Sequence, residues 1–198
     1  MKRFDSDDLK TLGWAALMAP LCVVLHELGH YAIAVADGIP VSFNPASVTG
    51  LPGSESMTPS VPGLGAAMGP IVTLVLTFGA VLLLRRRIGP PKPLLAVALT
   101  APARMIVLYA FLGFTLVRAI SGKPPSRPNF DEYNALVQLG VPPVPVLVVI
   151  AVLLPLAWGL AIRTVPEGKR LRATVLMVLG AAIGLALWMK VVGPALLG

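Results

Sequence analysis

Residues 14–36 read WAALMAPLCVVLHELGHYAIAVA, a run long and apolar enough to cross a hydrocarbon core, yet carrying His26, Glu27 and His30 towards its end. A transmembrane helix needs about 20 predominantly apolar residues. Ionisable groups inside such a run are costly and usually functional. Working outward, 61–84, 144–162 and 173–189 are free of charge, and 94–117 is interrupted only by Arg104. Of the 198 residues, 56% are hydrophobic and 13% charged, where soluble domains approach about a quarter charged. Lipid is therefore the solvent for most of the chain. The expectation is an all-α polytopic membrane protein of about five transmembrane helices, because the bilayer offers no water to unpaired backbone groups.

The first helix is expected over about 9–37, stopped by Gly38 and Pro40 and kinked at Pro20. Gly, Pro and Ser recur through 39–62, and the alternation of Val41 and Phe43 predicts a short β-hairpin or a re-entrant loop between the first two helices. The second helix begins near Gly63 and ends at Arg85-Arg86-Arg87, and the third covers about 93–120. Arg104 within that third span is expected to pair with a carboxylate or to snorkel.

The formal charge of +7 does not imply nucleic acid, because the basic residues sit in short clusters between apolar runs and not along one polar face. They read as topology. Lys2, Arg3 and Lys10, then Arg85, Arg86, Arg87 and Lys92, then Arg163, Lys169, Arg170 and Arg172 fall on one side. The other side has Arg118, Lys123, Arg127 and Lys190, and 37–62 contains no Lys or Arg. The positive-inside rule then predicts a multi-pass protein of the cell membrane with a cytoplasmic N-terminus and the C-terminus outside. The N-terminus imitates a signal peptide, with Lys2 and Arg3, an apolar run, and Ala34-Val35-Ala36. His, Glu and His at the end of the run argue against cleavage. The single cysteine, Cys22, permits no internal disulfide and reads as a buried, inert thiol.

On a helix, His26 and His30 lie one turn apart on one face, so two imidazoles can bind one zinc ion while Glu27 holds the attacking water. These are the only two histidines of the chain. A hydrolytic zinc needs a third protein ligand. Cys22 and Asp37 are too far along the same helix, about 12 Å and 10 Å of axial span. The loop after the third span emerges beside the end of the first helix, which makes Asp131 the leading candidate and Glu132 the second; Glu55 in the first loop stays open. The bland reading of the same segment is a helix N-cap at Asn129 or Asp131. Gly29 lets another backbone or a substrate approach, and Gly65 and Gly69 fit small-residue helix packing as well as a site role.

With these residues in place, the chain resembles the site-2 protease family of intramembrane zinc metalloproteases. The resemblance rests on His26-Glu27-Leu28-Gly29-His30 in an apolar helix and on Gly65-Ala66-Ala67-Met68-Gly69-Pro70 opening the next, similar to the family's Gly-x-x-x-Gly-Pro entry. The family's third ligand is an aspartate, usually in a Leu-Asp-Gly or Asn-Pro-Asp-Gly context; here Asp131 stands in Asn129-Phe130-Asp131-Glu132. Many bacterial members place the site nearer the cytoplasm, whereas the charge count here places it nearer the outside. The resemblance implies a metalloprotease-like membrane core over 1–140, with two additional C-terminal helices in 141–198. It implies a zinc-dependent intramembrane endopeptidase with Glu27 as catalytic base and His26, His30 and Asp131 as metal ligands. The substrate would be a membrane-embedded or membrane-proximal peptide or protein, held extended by edge pairing to a strand over 41–44. The competing class is a non-proteolytic zinc-binding membrane protein, a structural partner or a transporter subunit. The oligomeric state is open.

Overall fold

The computed structural model describes residues 4–50, 63–89, 91–124 and 128–197. Glu55 lies outside the described residues, as does the side chain of Arg104. The first helix, α1, spans Ser6–Ala36. It opens with a capping box in which Asp5 accepts from the backbone N–H groups of Asp7 and Asp8, and Asp8 accepts from that of Asp5. It closes on Gly38, whose φ of 70° lets Gly38 and Ile39 donate back to the carbonyls of Val35 and Ala34.

Two short strands follow, β1 (Val41–Asn44) and β2 (Ser47–Gly50), antiparallel with Val41 opposite Gly50 and Asn44 opposite Ser47. A β-hairpin over 41–50 thus lies between the first two helices. Helix α2 covers Leu64–Arg85. The third span is interrupted: α3 (Pro91–Thr100) and α4 (Ile106–Ile120) are joined by a 3₁₀ stretch over Ala101–Met105. Pro102 there has no N–H to give to the carbonyl one turn back, which is why the α-helical ladder does not run through. A short helix, α5 (Asp131–Gln138), precedes α6 (Pro143–Ile162). Helix α7 (Arg170–Leu187) passes through a π-helical turn at Trp188–Val192 into α8 (Gly193–Leu197).

Among the described residues, five helical stretches are long and apolar enough to cross a membrane: Ser6–Ala36, Leu64–Arg85, Pro91–Ile120, Pro143–Ile162 and Glu167–Leu196. Their outward faces are apolar too, with Val75 65% exposed, Leu116 61%, Leu156 57% and Val149 56%. Soluble monomers rarely present contiguous apolar surface on that scale. The chain is therefore a multi-pass helical membrane protein.

Lipid tails provide no hydrophobic drive between helices, so close packing and polar contacts hold the bundle. One core joins Ala15 of α1, Ala80 and Leu84 of α2, Ala96 and Leu99 of α3, Ala157 and Ala161 of α6, and Met177 of α7. The C-terminal helices therefore share a core with the first three spans. Helix α7 lies along α1, with Gly180 and Gly184 against the α1 backbone at Leu12 and Ala16. At one end of the bundle Asp7 pairs with Lys92 and Asp8 with Arg172. At the other, the Trp188 indole donates to the carbonyl of Pro45 in the hairpin turn, 2.6 Å away. The loops after α2 and α6 thus lie with the start of α1, and the hairpin lies with the C-terminus.

Candidate metal centre

His26 and His30 occupy successive turns of α1, on the side facing α2. Nε2 of His26 lies 3.2 Å from Nε2 of His30, and Oδ2 of Asp131 lies 3.3 Å from each. Three donor atoms, one from each of three residues, form a nearly equilateral triangle. Ligands at about 2.0–2.1 Å in tetrahedral array stand about 3.3 Å apart, so the triangle has the dimensions of one face of a zinc tetrahedron. The three residues fit a metal ion without rearrangement.

Hydrogen bonds behind the rings fix which nitrogens face the centre. His30 Nδ1 lies 2.6 Å from the carbonyl oxygen of Gly65, which can only accept, so Nδ1 carries the proton. In the neutral ring Nε2 then offers a lone pair. His26 Nδ1 lies 2.8 Å from Thr73 Oγ1, buried where both residues are about 1% exposed. Such partners of the remote ring nitrogen orient metal-ligating histidines. With Nδ1 of each ring held from behind, the two Nε2 atoms and a carboxylate oxygen converge on one point.

The space for this cluster comes from Gly69. A Cβ at residue 69 would stand 2.6 Å from His26 Nε2 and clash with His30 Nε2 as well. Opposite it, a Cβ on Gly29 would stand 2.9 Å from the Met68 carbonyl oxygen, so it is a neighbouring backbone that Gly29 admits. Gly65 differs: its nearest neighbour would be Ile33 Cγ2 at 3.9 Å, and what it contributes is its carbonyl.

Asp131 is carried by α5, which an aromatic cluster holds in place. The rings of Phe130 and Tyr133 each stand 5.5 Å from that of Phe111, edge-on, above fully buried Leu108 and Leu147. The capping reading of this segment is corrected: the N-cap of α5 is Phe130, and no side chain caps the helix. Asn129 instead accepts from the Asn134 side chain at 2.9 Å. Glu132, the second candidate, is buried at 6% exposure but is not one of the three converging donors. Cys22 is buried in α1, away from the centre.

Glu27 is 2% exposed and lines a cavity of about 280 Å³ together with His30 and Asp131. Exposure rises from the His26 side chain at 2% through His30 at 13% to Asp131 at 39%, so the cavity opens past Asp131. Its other wall is Ser47 and Val48 of β2. The strand expected over 41–44 is present as β1, but β1 rests on α1 through the Phe43 and Tyr31 rings, 6.0 Å apart, and it is β2 that borders the cavity.

Thr73 and the aromatic anchors of α5 are the residues that sequence reasoning passed over. Thr73 had a legible signal: Gly65, Gly69, Thr73 and Thr77 recur every fourth residue, the only small and polar stripe on an otherwise aliphatic helix. Fold and site together define a multi-pass helical membrane protein with a three-donor cluster able to hold a metal ion. Comparison with known protein families, with curated proteins and with solved structures finds no match.

Proposed function

We propose that the chain is a zinc-dependent intramembrane endopeptidase of the site-2 protease type, with its N-terminus in the cytoplasm. The observation that carries the reading is the triangle of His26, His30 and Asp131 with Glu27 buried at the edge of the same cavity. Three protein ligands leave the fourth position of a tetrahedral ion for water or substrate, the arrangement of catalytic zinc, whereas structural sites are closed by four. Bound zinc would acidify the attacking water and polarise the scissile carbonyl. Glu27 would take the proton of that water and return it to the leaving amine. Gly65 and Thr73 hold the imidazoles in register from behind. The bundle around His26 keeps bulk water from the deep side of the cleft, and the mouth beside Asp131 and β2 admits peptide and water. The substrate is a membrane-embedded or membrane-proximal segment, extended where it lies against β2.

Glu27→Gln provides the test. Single-span peptides are co-reconstituted with the purified chain, cleavage is read by mass spectrometry, and zinc content is measured in parallel. Wild type should cleave and Glu27→Gln should lose turnover by about 100-fold or more while keeping its zinc. A zinc-loaded wild type that cleaves none of the peptides would move the protein to the competing class, a structural partner or transporter subunit with a retained metal site.

A further inference from the structure

At the end of the bundle away from the metal centre, a second cavity of about 680 Å³ opens between the C-terminal ends of α2 and α6 and the start of α3. Arg85, Arg87 and Arg163 all line it, and no Asp or Glu does. Of the acids at this end, Asp5 and Asp8 form the capping box, Asp7 pairs with Lys92 and Asp8 also with Arg172, while Glu167 stands in the loop after α6 and does not line the cavity. Among the described residues, Arg85, Arg87 and Arg163 have no ion-pair partner. The positive-inside rule accounts for basic residues on this side, but not for three arginines from two separate places in the chain, the end of α2 and the end of α6, lining one cavity without an acidic residue.

Backbone geometry adds an independent sign. Arg87 sits just past the end of α2 with φ 57°, and Arg87 and Ile88 donate back to the carbonyls of Leu84 and Leu83. That position normally takes glycine, sometimes asparagine. Among the described residues Arg87 is the one non-glycine at positive φ, whereas Gly38 and Gly140 end α1 and α5 in the same manner. A side chain is kept here at a cost in backbone strain, and strain of this kind concentrates at ligand sites.

The rest of the lining identifies the ligand. Leu84, Leu94 and Leu160 give the cavity an apolar wall, formed by the core residue Leu84, by Leu94 packed against that core, and by the exposed Leu160. Arginine forks match phosphate oxygens in pairs, and basic pockets between transmembrane helices at the membrane boundary bind anionic head groups. We infer that this cavity binds the head group of an anionic phospholipid, with the phosphate held by Arg85, Arg87 and Arg163 and the first acyl carbons against Leu84, Leu94 and Leu160. The site is separate from the metal centre and does not depend on the proposed proteolysis.

The experiment is native mass spectrometry of the full chain in detergent, titrated with phosphatidylglycerol or with phosphatidylcholine. Phosphatidylglycerol should bind at least about tenfold more tightly. Arg87→Gly and Arg163→Gln should each weaken it about fivefold, and together about twentyfold, at roughly one basic contact per substitution, leaving phosphatidylcholine unchanged. Glycine suits the backbone at 87, so loss of lipid in Arg87→Gly cannot be laid to misfolding, and its zinc content should equal that of wild type. Arg86→Gln, a neighbour that does not line the cavity, should change binding less than about twofold. Equal affinity for the two lipids, or an Arg86→Gln effect as large as that of Arg87→Gly, would overturn the inference in favour of diffuse surface charge. Displacement of phosphatidylglycerol by millimolar inorganic phosphate would overturn the lipid assignment and leave a site for free phosphate.

Discussion

Gly69→Ala adds one methyl group at the closest approach of α2 to the two histidines. Its Cβ would stand 2.6 Å from His26 Nε2 and closer still to His30 Nε2, where non-bonded heavy atoms settle at about 3.5 Å. Either the rings retreat by about 1 Å or α1 and α2 separate. Separation is resisted because Gly29 already rests on the Met68 carbonyl, so the expected strain is about 1–3 kcal/mol. Retreat of the rings destroys the triangle of 3.2 and 3.3 Å edges, since metal–ligand distances tolerate only about 0.2 Å. The expected outcome is a fall in zinc affinity of about 100-fold, near 3 kcal/mol, with the fold retained. Wild type and Gly69→Ala, equilibrated in chelator-buffered zinc and assayed for metal content, give the comparison directly. Gly65→Ala is the control: its Cβ meets nothing closer than Ile33 at 3.9 Å, and its carbonyl still accepts from His30. Zinc affinity unchanged in Gly69→Ala, or lost equally in both variants, would refute the reasoning and reduce the two glycines to ordinary helix packing.

Asp131→Asn should lose zinc nearly as severely as Asp131→Ala, because a neutral amide oxygen is a much poorer zinc ligand than the carboxylate it replaces; retained zinc in Asp131→Asn would transfer the third ligand to Glu132 or Glu55. Thr73→Val keeps the shape but removes the hydroxyl hydrogen-bonded to His26 Nδ1, so zinc affinity should fall about 10–100-fold and thermal unfolding should report about 1–3 kcal/mol for the buried ring nitrogen left unpaired. Reporter fusions after Arg87 and Arg172 should read cytoplasmic, and fusions within 47–57 or 121–126 should read outside. A split within either pair would contradict the bundle, whereas a uniform reversal would overturn only the orientation.

The transmembrane spans were legible because lipid imposes a single demand, sustained apolarity over about 20 residues, that composition meets or fails outright. The third span shows the limit of that reading. Its apolar run says nothing of the 3₁₀ stretch at Ala101–Met105, which depends on the hydrogen-bond ladder around Pro102 and not on hydropathy. Within the centre, His26, Glu27 and His30 could be read because a single helix sets their spacing. Asp131 could be approached only through topology, since its approach to α1 depends on Phe111, Phe130 and Tyr133 packing across a separation in sequence that no local pattern encodes. The same segment misled as a cap because Asn and Asp before a short helix carry a strong local preference, and the aromatic contacts override it. Strand order was the other illegible feature: alternation at Val41 and Phe43 marks a strand, but which member of the hairpin borders the cavity is decided by how β1 leans on α1.

On the proposed reading, the depth of the centre limits the form a substrate can take. At 1.5 Å per residue, His26 lies about 15 Å and His30 about 9 Å from the end of α1 at Ala36. On that reading the centre lies within the membrane, where backbone that is not helical persists only if protein encloses it or water fills the space. The hairpin and α5 meet that condition by forming the cavity mouth, with Ser47 and Val48 on one side and Asp131 on the other. A helix with its side chains is about 10–12 Å across and keeps each carbonyl bonded within its own ladder, and a cavity of about 280 Å³ cannot admit it. An extended segment can enter, and β2 stands where its backbone groups could replace the bonds lost on unwinding. Helix-destabilising residues near the scissile bond should therefore speed cleavage by lowering the cost of unwinding. A single-span peptide carrying Gly or Pro at the cleavage site should be cut faster than its Leu or Ala counterpart when both are reconstituted with the purified chain. Equal rates for the two peptides would show that unwinding is not what the enclosed cavity demands.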